Sequence, residues 1–167
     1  MKTLKNVIVI SALFFSFFSC NLEDESFFQV KYTIEDLVKI DAGDSKSWSI
    51  QGYYSNYNQG VMKEDSPCYV DDIFTFQKGS TEITVIPGEV SCYMGDSKEE
   101  ITTASYEFYE EEGLVFLSIS KAVQVNGVTK NTFFSLQLVE LSNDHMIFSS
   151  GEKGNYEVAI VLIASNN

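Results

Sequence analysis

The chain has 167 residues, 44% hydrophobic and 14% aromatic, which gives one domain able to bury a real core and argues against a disordered polymer. Its 11 basic residues are all lysine, and beyond Cys20 nine lysines face 24 acidic residues, a net −15. Such a surface repels phosphate backbones and offers no polybasic patch to anionic lipid, so nucleic-acid binding is not expected. Thirteen Phe and nine Tyr against two Pro favour β-structure, where rings pack well on a pleated surface.

Lys2 and Lys5 precede an apolar run, Val7 to Phe18, that is short for a bilayer span, the layout of an export signal. The run ends Phe17-Phe18-Ser19-Cys20, which resembles the lipobox of bacterial lipoproteins, with Phe17 where leucine is commonest. That resemblance implies a signal peptide over 1–19 and a lipidated Cys20, carrying acyl chains such as palmitate. An ordinary secretory signal with an incidental cysteine is the alternative. The acidic run Asn21-Leu22-Glu23-Asp24-Glu25-Ser26 resembles the surface-export signal of lipoproteins in the Bacteroidetes group; a plain solvated tether is the other reading. A short helix is expected over Thr33 to Ile40, with Thr33 as N-cap and Asp36 at the third helical position. Residues 20–45 are thus tether and short helix, and 46–167 the folded domain.

From Ser47 the hydrophobic period becomes two. Trp48, Ile50, Gly52 and Tyr54 fall on one face of a first strand, and a long Tyr/Asn-rich loop is expected from Tyr53 to Pro67. Asp72, Phe74 and Phe76 alternate on the next strand, which turns at Lys78-Gly79-Ser80 and returns over Glu82 to Ile86. Ser105 to Tyr109 and Leu114 to Val123 flank Glu110-Glu111-Glu112-Gly113. Asn126-Gly127 is the strongest hairpin signal; Thr132 to Leu141, Met146 to Ser149 and Tyr156 to Ala164 complete the set. Eight or nine strands with short reversals predict an all-β, antiparallel up-and-down barrel of about eight strands. Cys20 ends the apolar run, leaving Cys68 and Cys92 as a pair. In an exported chain a disulfide is the natural reading, two buried thiols the alternative.

Trp48 on the first strand, Cys68-x-x-Asp71-Asp72-Ile73-Phe74-Thr75-Phe76, the later Cys92 and the stretch Phe134 to Phe148 together resemble the lipocalin-like lipoproteins of Bacteroidetes-type bacteria. The resemblance covers roughly Asp44 to Ala164. It implies a small β-barrel with a Cys68–Cys92 disulfide on a lipid tether, in the outer membrane and facing the periplasm or the cell surface. It implies no activity.

Catalytic patterns are wanting. His145 is the single histidine, so no Ser-His-Asp, Cys-His or His-rich zinc arrangement can be assembled, and a solvated turn residue is expected there. Asp71 and Asp72 are adjacent on a strand and point to opposite faces, so they cannot share one substrate; Asp72 is expected to cap the strand or accept backbone donors. Glu110 to Glu112 read as a solvated tip. No enzyme, metal or cofactor is expected. Trp48, Tyr54, Phe74, Phe76, Tyr106, Phe108, Phe116 and Phe134 could line a barrel that binds a small apolar ligand, or simply fill it. Tyr53, Tyr54 and Tyr57 with Asn56 and Asn58 could form a recognition loop at its mouth. The expected function is non-catalytic binding of a small apolar ligand or of a surface partner, the alternative an accessory subunit of an envelope complex with a solid barrel core.

Overall fold

A computed structural model of the chain describes residues 30–93, 100–151 and 154–165. The expected signal segment, Cys20 and the acidic run after it lie outside the described residues. Nine strands form one antiparallel sheet: β1 (Ser45–Asn56), β2 (Val61–Met62), β3 (Ile73–Gln77), β4 (Glu82–Ile86), β5 (Ile101–Tyr109), β6 (Leu114–Val125), β7 (Val128–Leu141), β8 (His145–Ser149) and β9 (Ala159–Ala164). From β3 to β9 each strand pairs with the next, and β1 pairs with both β3 and β9. Eight strands therefore close into an up-and-down barrel, as the short reversals predict. The two-residue β2 folds back on the end of β1.

Local chemistry explains the reversals. Asn126 and Gly127 both take positive φ, 53° and 76°, the type I′ geometry whose twist matches its strands, and Val125 faces Val128 across the turn. Alternation is strict on β6, where Val115, Leu117, Ile119, Lys121 and Val123 are all buried. Their neighbours Phe116, Ser118 and Ser120 lie on the outer face.

Three local expectations are corrected. The helix over Thr33 to Ile40 shrinks to one turn, α1 (Val38–Asp41), because Asp36, Lys39 and Ile40 bond back three residues rather than four. Thr33 donates from its amide and its hydroxyl to Asp36 Oδ2, half of the expected cap. The first strand does not stop at Tyr53 but continues to Asn56, with a bulge between Ile50 and Gly52 against β9. One extra residue shifts the phase, so Tyr53 turns into the barrel and Tyr54 out of it. A Cβ at Gly52 would stand 2.8 Å from the Tyr54 ring, so a larger residue there would displace that ring. Finally, the expected loop before Asp72 holds a helical turn, α2 (Pro67–Val70), and β9 begins at Ala159 rather than Tyr156.

Both barrel ends are covered. At the end where β1, β6 and β8 begin, residues 30–44 form a strap. The Tyr32 amide donates to the Gly113 carbonyl (2.7 Å), and Trp48 Nε1 donates to the Ile40 carbonyl (2.8 Å). At the opposite end α2 lies across the opening, with Tyr69 against Tyr53 and Phe134 and its hydroxyl 2.9 Å from Thr132 Oγ1. The Cys68–Cys92 disulfide ties α2 to the segment after β4. Replacing both cysteines by alanine should lower unfolding stability by about 2–4 kcal/mol in equilibrium denaturation, without changing the barrel's circular dichroism.

Candidate functional site

The interior is built by alternation. Trp48 from β1, Phe74 and Phe76 from β3, Leu138 from β7, and Met146 and Phe148 from β8 are fully enclosed, with Tyr106 packed on Phe76 at 5.5 Å. Of the eight aromatic residues expected to line a ligand site, Trp48, Phe74, Phe76 and Tyr106 meet in this core. Phe108 and Phe134 pack at its two ends, half-buried. Tyr54 and Phe116 do not join it. Tyr54 stacks edge-on with Tyr57 outside the barrel, and Phe116 stacks with Tyr109 on the outer wall. Three clefts among the described residues, of about 360, 460 and 230 Å³, are lined by none of Trp48, Phe74, Phe76 or Tyr106.

A charged cluster missed by the sequence reading sits inside this apolar volume. Lys121 Nζ lies 2.7 Å from Asp72 Oδ2 and 3.1 Å from Glu100 Oε1, and the lysine is only 1% exposed. The contact to Oδ2 is a close, fully buried charge pair. Asp72 Oδ1 accepts the Gly88 amide at 2.8 Å; Glu100 Oε2 accepts the Cys92 amide and the Ser91 hydroxyl, each at 2.9 Å. The Tyr69 ring centre is 5.3 Å from Nζ, within cation–π range. Burial pushes the Asp72 carboxyl above its ordinary value, only partly opposed by Lys121 and the Gly88 amide.

Asp71 and Asp72 do not lie on a strand as expected: Asp71 caps α2 and Asp72 precedes β3. Asp71 points outward and accepts the Glu89 and Val90 amides at 2.6 and 2.9 Å, while Asp72 points in. Both carboxylates thus hold the segment that carries Cys92. His145 opens β8, half-buried, beside the 460 Å³ cleft. The signal for the missed cluster was present, since Lys121 and Asp72 each fall in phase with the buried residues of a strand.

Comparison with known protein families, with curated proteins and with solved structures gives no match. Among the described residues no group of three or more His, Cys, Asp or Glu is placed to hold a metal ion.

Two predictions follow from this packing. Trp48→Ala removes a fully enclosed ring and an indole hydrogen bond, so it should cost about 3–5 kcal/mol of stability, measured by denaturant titration. Burial raises the Tyr69 and Tyr156 hydroxyls from 10.0 to about 12, with a Glu140 hydrogen bond adding to the effect on Tyr156. The unfolded chain releases these protons first, so stability is intact below pH 10 and falls as pH rises through about 12. A tyrosinate absorbance titration should show ionisation of these two residues coinciding with unfolding.

Proposed function

We propose that the chain is a lipid-anchored, non-catalytic accessory module of the bacterial cell envelope. It would dock a protein partner with the barrel end remote from its anchor. The observation that carries this reading is the closed interior: its largest rings have no exposure and both openings are covered. A barrel of this kind offers its surface rather than a cavity.

The described chain enters the barrel at Val30, beside Leu141, Ser142 and His145, at the strap-covered end. A lipidated Cys20 ten residues earlier would hold that end within roughly 36 Å of the bilayer. The opposite rim then faces away from the membrane. It carries exposed Val70, Ile86, Val90, Ile101, Val125 and Val128, a concentration of apolar side chains suited to a partner face. The net negative charge of the exported chain favours a partner bordered by basic residues and opposes self-association.

Native mass spectrometry of the exported domain, purified from its own host without the acyl chains, tests the reading. The expected result is no bound small molecule. In intact cells a photo-crosslinker at Ile101 or Val128 should capture one defined envelope protein, and purified partner should lose at least tenfold in affinity for an Ile101→Ser/Val128→Ser variant. A small apolar molecule bound one-to-one would overturn the accessory role in favour of a carrier.

A further inference from the structure

We propose that Lys121 and Asp72 condense into an intramolecular amide, an isopeptide bond across the barrel, with Glu100 as the catalytic carboxylate. The inference is independent of the anchor and of any partner. Its basis is that each part such a reaction needs is present at contact distance in one enclosed site.

The nucleophile is Lys121 Nζ, 2.7 Å from Oδ2 of Asp72, so the carboxyl carbon lies no more than one C–O bond further away. The oxyanion donor is the Gly88 amide, 2.8 Å from Oδ1. The proton carrier is Glu100, whose Oε1 is 3.1 Å from Nζ while its other oxygen is fixed by the Cys92 amide and the Ser91 hydroxyl. None of the three side chains reaches 10% exposure, so water is kept from the product.

The chemistry balances without a co-reactant. Two charges in an apolar core carry a large desolvation penalty, so a proton moves from the ammonium to Asp72, giving a neutral amine and a neutral acid. Burial already biases Asp72 toward its protonated form. The nitrogen lone pair forms a bond to Cγ, and negative charge gathers on Oδ1 under the Gly88 amide. Glu100 takes a proton from the nitrogen and delivers it to the departing oxygen, the C–Oδ2 bond breaks, and one water leaves. The amide is the product and Glu100 is regenerated. Fixed juxtaposition lowers the barrier, since well-oriented partners reach effective molarities of about 10⁵–10⁸ M, and loss of the released water from the enclosed site draws the reaction toward the amide.

The bond would join the residue before β3 to the middle of β6, two strands that are not neighbours in the sheet. It is a strut through the interior.

Intact mass spectrometry of the reduced, denatured domain decides the matter. The expected mass is lower than the sequence mass by one water, and protease mapping should recover one branched peptide containing Asp72 and Lys121. Glu100→Gln should restore the full mass while circular dichroism still reports the barrel, and Lys121→Arg should do the same. A wild-type domain of full mass, with Lys121 open to amine-specific labelling once unfolded, overturns the proposal, as does a lost water that maps elsewhere. A branched peptide that persists in Glu100→Gln overturns the role given to Glu100.

Discussion

A single buried lysine organises the end of this barrel that α2 covers. Lys121 reaches into the core from β6 and meets two carboxylates from separate parts of the chain, Asp72 before β3 and Glu100 before β5. A lysine in that position without them would carry a penalty of several kcal/mol, so the three groups are stable only together. Each carboxylate also captures backbone amides, Asp72 that of Gly88 and Glu100 that of Cys92. Electrostatics in the interior therefore sets the path of the segment leaving β4, and with it the position of Cys92 beside Cys68.

The disulfide is one of several ties on the same piece of chain. Outward-facing Asp71 holds residues 89 and 90, inward-facing Asp72 holds residue 88, and Cys68 binds residue 92. Four residues between 88 and 92 are thus pinned from one short stretch, Cys68 to Asp72. This arrangement keeps α2 across the opening and lets Tyr69 complete the aromatic cluster with Tyr53 and Phe134. Closure of the barrel and enclosure of the charges are consequences of one another: the lid excludes water from the ion cluster, and the cluster fixes the lid.

On the opposite end the closing device is apolar and local. Trp48 both fills the core and donates its indole hydrogen to the strap at Ile40. The largest rings, Trp48, Phe74, Phe76 and Phe148, are fully enclosed between the two covers. That packing depends on side-chain volumes meeting in space, which no single strand reveals.

What the sequence determined by itself is the set of features that are short in range. Period-two alternation and the turn residues at Lys78–Ser80, Glu110–Gly113, Asn126–Gly127 and Ser142–Asp144 marked the barrel strands and their order, because pleat and turn geometry act over a few residues. Tertiary structure alone decided the rest. The bulge after Ile50 reversed Tyr53 and Tyr54, since its cause is the register against β9, more than a hundred residues away. The joining of Lys121 to Asp72 and Glu100 was equally out of reach. Two charges in phase with the buried residues of a strand announce that each needs a partner, but only closure of the sheet brings those partners to the same point.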